Sequence, residues 1–139
     1  MLSRKEIVER MLGVKVPVQY AAFLEKYGIY NAPGVEVYGI SDDLLGYDGI
    51  PCVIGATQNR RRADGLPHQF LVVHHTGVED ETICLDTENE KIYSVSRDFG
   101  NHKIADSFDE LFQRDIIEFY RRPISDKYLR ARIINIDRN

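Results

Sequence analysis

The chain has 139 residues, 43% of them hydrophobic and 29% charged, enough for one compact domain to close a core without disulfide or metal staples. A net charge of −4 argues against sequence-independent nucleic-acid binding, which needs a basic surface to displace phosphate counterions. The longest apolar runs, such as QFLVVHH, fall far short of the roughly 20 residues of a membrane-spanning helix, so no membrane association is expected.

In chain order, SRKEIVERMLG places Ser3 three residues before Glu6, a capping box, with Ile7, Val8, Met11 and Leu12 as one apolar stripe before Gly13. A short amphipathic helix is expected. VPVQYAAFLEKYG reads as a second helix: Pro17 suits the first helical position and Gly28 the left-handed residue that ends it. Tyr20, Phe23, Leu24 and Tyr27 recur at helical spacing and form its core face.

After NAPG come five segments rich in β-branched and aromatic residues: VEVYGI, PCVIGAT, QFLVVHH, ETICLD and KIYSVS. Their connections are short or polar, so antiparallel neighbours are expected, with TGVEDE and TENE as hairpin turns and NRRRADGLPH as a polar loop. DSFDELFQRDIIEFYRRP then signals a third helix, with Ser107 as N-cap, Glu110 in the capping-box position, and Phe108, Leu111, Phe112, Ile116 and Phe119 facing inward. DKYLRARIINIDRN is helical at first and shifts to β-like alternation. The sum is an α+β fold: a single domain over residues 1–139, with one mainly antiparallel or mixed sheet packed by N-terminal and C-terminal helices.

Signals for catalysis are weak. GxGxxG, Walker A, GxSxG and HExxH are all missing. His74 and His75 are adjacent and would point to opposite faces of a strand, so a metal would need further ligands such as Asp86 or His102; one half-buried and one exposed histidine is the expected reading. Cys84 can be paired on paper with His74 or His102, but TICLD puts the thiol in an apolar strand, where a core cysteine is expected. Cys52 and Cys84 each stand alone in apolar runs, and no signal-peptide pattern opens the chain, so a reducing cytoplasm is the expected location. Arg60, Arg61 and Arg62 could contact phosphate or an acidic partner, against the plainer reading of a solvated loop. Glu36, Asp42, Asp43 and Asp48 offer too many carboxylate pairs to favour a glycosidase-like one.

Three segments together resemble the SUKH superfamily, in its Smi/Knr-like branch. GVKVPVQYAAFLEKYG is similar to the family's pattern of Pro, Tyr and Phe-Leu leading into a Gly turn; ETICLDTENEKIYSVSRD resembles its central hairpin; IADSFDELF resembles the entry to its late helix. The resemblance runs from about residue 11 to 117. Where the family commonly has Gly-Gly after the second helix this chain has Gly28, Ile29 and Tyr30, and the basic stretch from about residue 121 to 139 lies outside the pattern. The matched residues, Pro17, Tyr20, Phe23, Leu24, Leu85, Asp86, Tyr93, Ser107 and Phe108, are fold residues.

The resemblance implies a non-catalytic protein without cofactor or metal. Many bacterial members are immunity proteins that bind a cognate toxin, often a nuclease, encoded by an adjacent gene. Others are interaction modules, including cell-wall regulators, and a cytosolic adaptor with a host partner is the alternative. An electropositive nuclease site is opposed by carboxylates that mimic the polyanion, so the partner surface is expected at Asp42, Asp43, Tyr47, Asp48, Glu79, Asp80 and Glu81. Tyr47 is its aromatic anchor. Between Gly77 and Glu90 six residues are acidic and none basic, whereas residues 120–139 carry six basic residues against two acidic, an asymmetry that itself points to a charged partner. The sequence leaves the oligomeric state open.

Overall fold

In the computed structural model, residues 2–32, 35–40, 52–75, 81–96 and 100–118 are described. Helix α1 (Arg4–Leu12) begins with the expected capping box: the Ser3 hydroxyl accepts from the Glu6 amide, and Glu6 reaches back to the Ser3 amide. Val8 and Leu12 are buried, and Ile7 packs at the margin of the core. Met11 is 53% exposed, so the stripe is narrower than the sequence implies. Helix α2 (Val18–Lys26) starts one residue later than expected, with Pro17 as N-cap, and Gly28 turns left-handed (φ 70°) just beyond its end. Tyr20, Phe23 and Leu24 are buried. Tyr27, 37% exposed, closes the rim of an aromatic cluster against Phe23, Tyr30 and Phe112.

Among the described residues six strands follow one another in space as in sequence, all antiparallel: β1 (Tyr30–Ala32), β2 (Val35–Val37), β3 (Phe70–His74), β4 (Glu81–Asp86), β5 (Ile92–Ser96) and β6 (Gly100–Ala105). The expected strands around VEVYGI, QFLVVHH, ETICLD and KIYSVS are β2 to β5. β1 and β6 have no alternation to betray them: YNA is too short and GNHKIA too polar, and each gains its strand only by pairing with a neighbour. TENE is the turn expected, built on Asp86, whose carboxylate accepts the amides of Glu88 and Asn89.

PCVIGAT departs from expectation. It is not a strand; Val53–Asp64 is helix α3, which also takes up the three arginines assigned to a loop. A short apolar run cannot be told from a buried helix turn by periodicity, and here the tertiary setting selects the helix. β2 ends at Val37 and pairs with β3 only at His74, which leaves the lower half of β3, paired with β4 on its other side, without a described strand on this flank. α3 lies there instead, and the Thr57 hydroxyl accepts from the Val72 amide at 3.0 Å, replacing a ladder bond.

Arg61 fastens α3 to its surroundings: its guanidinium donates to the carbonyls of Leu12 at 2.8 Å and His68 at 2.7 Å. His68 in turn lies 2.9 Å from the Gly13 carbonyl, and Arg4 donates to Leu24 and Glu25. The last carbonyls of α1 and α2 are thus satisfied by side chains from neighbouring elements.

The closing helix (Glu110–Glu118) is π-wound. Ser107 accepts from the Glu110 amide as expected of an N-cap, while the Glu110 carboxylate accepts from Asp106. Phe108, Leu111 and Phe112 are buried, and the Phe108 and Phe112 rings stack at 5.9 Å. Ile116 and Phe119, also expected inward, have side chains outside the described set.

One tight contact joins α2, β2 and α3. The Tyr20 hydroxyl donates to the Tyr38 carbonyl at 2.6 Å, the Ile40 amide to Gly28 at 3.0 Å, and the Val53 amide to Gly39 at 2.9 Å. A Cβ on Gly39 would collide with the Gly28 carbonyl. Gly39→Ala is therefore expected to lose about 3 kcal/mol in urea unfolding. Gly55→Ala, in open space inside α3, is expected to gain about 0.5–1 kcal/mol.

Candidate protein-binding face

Cross-strand partners share a face of the sheet, and the register separates two. Leu71, Leu85 and Ile92 point to the main core beneath α1, α2 and the closing helix. Phe70, Val72, Cys84, Tyr93 and Val95 point the other way, into a smaller cluster closed on one side by Leu66. α3 covers that second face only in part. Where it ends, a cleft of about 260 Å³ opens between the α3 C-terminus and strands β4 to β6. Arg60, Asp64, Leu66 and Pro67 form its wall, and Thr82, Val95, Ser96 and Asn101 line the sheet side.

Its chemistry is apolar at depth and polar at the mouth. Leu66 and Thr82 are buried, Val95 is half-buried and Asn101 is exposed. Arg60 and Asp64 neutralise one another at 2.7 Å, so the wall presents a closed ion pair rather than a net charge. Gly65, left-handed at φ 67°, ends α3 and swings Leu66 and Pro67 over the sheet. The volume falls below the 300–1,000 Å³ or so of small-molecule sites.

Among the described residues, those singled out for chemistry are not brought together. The His74 ring nitrogen lies 2.7 Å from the Glu36 carbonyl; His75 is half-buried at the end of the strand; His102 is exposed on β6 opposite Ser94. Among the described residues no three His, Cys, Asp or Glu side chains converge as a metal site. Cys84 is buried with the Thr82 hydroxyl 3.7 Å from its sulfur, and burial pushes its thiol up to about 12. The arginines serve the fold: Arg60 pairs with Asp64 and Arg61 clasps two carbonyls, while Arg62 is exposed. Of the acidic residues expected at a partner surface, Glu81 opens β4, half-exposed, opposite Ser96 and next to Thr82 of the cleft. Asp42, Asp43, Tyr47, Asp48, Glu79 and Asp80 lie outside the described residues. The cleft itself had no sequence signal beyond the alternation of Thr82 and Val95 with core residues, because its wall is the end of a helix whose residues there read as a polar loop.

Two outcomes follow from the buried titrating groups. Cys52 and Cys84 are both buried, and a thiol held near 12 is un-ionised at neutral pH. A disulfide reagent should label neither in the native protein and both after denaturation; fast native labelling of Cys84 would contradict this environment. Burial also lowers the His74 imidazole below its ordinary 6.5, partly opposed by the bond to Glu36. Its contribution to stability is present above 6.5 and is lost as pH falls through the folded value. The urea midpoint should drop between about pH 7.5 and about pH 5, and drop less in His74→Gln.

The helices before and after a sequential antiparallel sheet, with Pro17, Tyr20, Phe23 and Leu24 at the α2 core face, are the arrangement expected from the resemblance. No curated protein matches the chain. A family model described as SMI1-KNR4 cell-wall (SUKH_5) matches residues 3–118, from the α1 cap to the last described residue of the closing helix. The chain belongs to this SMI1-KNR4 family of the SUKH superfamily.

Proposed function

We propose that this protein is a non-catalytic, cytoplasmic immunity protein that neutralises a cognate bacterial toxin, a nuclease in the first instance, by direct binding. The family match over residues 3–118 carries the reading, since the family as a whole suggests protein–protein interaction. The buried, un-ionised thiol of Cys84 fits a role in the fold rather than in thiol chemistry. An acidic surface that includes Asp42, Asp43, Tyr47, Asp48, Glu79, Asp80 and Glu81 steers the toxin, because carboxylates attract an electropositive phosphate-binding site over distances of a Debye length. Charge sets the approach and the aromatic Tyr47 holds the contact.

A second reading is favoured by the family's own description, which names the cell wall. In it the chain is a cytosolic adaptor in cell-wall regulation, with a host protein as partner and no toxin.

A survival assay separates the two. The C-terminal domain of the protein encoded beside this gene is expressed in a sensitive host with and without this chain. The immunity reading expects survivors only with it. Reversing Asp42, Asp43, Glu79 and Asp80 together should slow association roughly 10-fold or more at low salt and flatten its salt dependence. Killing that is indifferent to the chain, or a harmless neighbour, removes the immunity reading in favour of the adaptor.

A further inference from the structure

Thr82, Val95 and Asn101 stand in one row. Thr82 pairs with Val95 across β4 and β5, and Val95 with Asn101 across β5 and β6, so the three side chains rise side by side from the cleft face of the sheet. Two strand spacings, about 10 Å at the backbone, separate the ends of the row. Along the cleft it offers a hydroxyl at the inner end, an isopropyl group in the middle and a carboxamide at the outer end. Leu66 and Pro67, where the chain leaves α3, form the opposing wall.

The inner hydroxyl is poorly satisfied. Thr82 is only 4% exposed, and among the described residues its hydroxyl meets the Cys84 sulfur alone, at 3.7 Å. A thiol is a weak donor and a weak acceptor, so a buried hydroxyl held this way carries a desolvation cost that a better partner recovers. Water fills the cleft badly. Beside Leu66, Pro67 and Val95 it finds no side-chain polar group, and an apolar group that displaces such water gains affinity.

Charge and size narrow the occupant. Among the described lining residues only Arg60 and Asp64 are charged, and they close on one another at 2.7 Å with side chains 27% and 20% exposed. An anion would draw Arg60 away from Asp64 and a cation the reverse, and either leaves a largely buried charge without its mate. The cleft, about 260 Å³, is smaller than drug-sized ligands occupy and holds a single ring with a substituent at each end.

We propose that the cleft is a binding site for a neutral small molecule: an apolar ring lying on Val95, with a hydroxyl that meets Thr82 at one end and an amide that meets Asn101 at the other. The site goes beyond the reading of the chain as an immunity protein, since it needs no protein partner, and its test is independent of the survival assay.

The test ligand is 4-hydroxybenzamide, titrated into the full chain while the backbone amide resonances of Thr82, Val95 and Asn101 are followed by NMR. These three should move together and saturate in the millimolar range, as expected of so small a ligand. 4-Hydroxybenzoate and 4-hydroxybenzamidine have the same shape with a negative and a positive charge, and should bind roughly 10-fold more weakly or worse. Two cycles assign the ends. Thr82→Val should weaken 4-hydroxybenzamide roughly 3- to 10-fold and leave benzamide, which lacks the hydroxyl, unchanged. Asn101→Ala should weaken 4-hydroxybenzamide by a similar factor and leave phenol, which lacks the amide, unchanged. A folding defect moves both ligands of a pair, so a selective loss reports the contact itself. Asn101 is exposed, and its cycle stands even where Thr82→Val does not fold. Three outcomes overturn the proposal: no saturable movement of the three resonances, equal affinity for the neutral and charged forms, or variants that weaken both ligands of a pair alike.

Discussion

Gly39 sits so close to the carbonyl of Gly28 that no side chain fits between them, and the architecture turns on this contact. It is a meeting of two backbones. On one side is the left-handed turn that ends α2; on the other is the segment that leaves β2. Three hydrogen bonds converge there, from Tyr20 to Tyr38, from Ile40 to Gly28 and from Val53 to Gly39. The first aligns α2 with the sheet and the last fixes where α3 begins. Buried backbone groups must find partners, so once the two glycines meet, the ends of three elements are set together.

From that anchor the cleft follows. α3 starts at a point fixed by Gly39 and runs beside the half of β3 that β2 does not reach, where Thr57 supplies the missing acceptor. Arg61 sets its far end by gripping carbonyls at the end of α1 and at His68. With both ends held, Gly65 releases the chain over the second face of the sheet, and Leu66 closes the small apolar cluster. The helix is too short to cover β5 and β6 as well. What it leaves uncovered is a half-buried valine, a half-buried tyrosine and the exposed strand β6.

The charged residues divide by role. Arg4, Arg61 and His68 spend their donors on helix ends, and Arg60 on Asp64, so the basic groups that looked available to a ligand are largely engaged in the fold. Capping of this kind depends on which carbonyls happen to come near, and a run of three arginines gives no sign of it. Several acidic residues are structural as well: Glu6 completes the α1 capping box, Glu110 accepts from Asp106, and the Asp86 carboxylate shapes the β4–β5 turn.

By itself the sequence determined whatever depends on near neighbours in the chain. The capping box at Ser3 and Glu6, the Pro17 and Gly28 limits of α2, the stripe of Tyr20, Phe23 and Leu24, the Asp86 turn and the Ser107 cap were all legible because each is a matter of residues three or four apart. The family resemblance rests on these same stretches. Only the tertiary structure decided the rest. Val53 and Ile54 belong to a helix because an unpaired flank of β3 receives them there, and the polar GNHKIA is a strand because β5 offers it a ladder. Both outcomes are set by partners far along the chain, and so is the cleft, which exists only where α3 stops short of the edge. Local periodicity carries no record of such partners, since the free energy that selects the conformation resides in the pairing rather than in the segment.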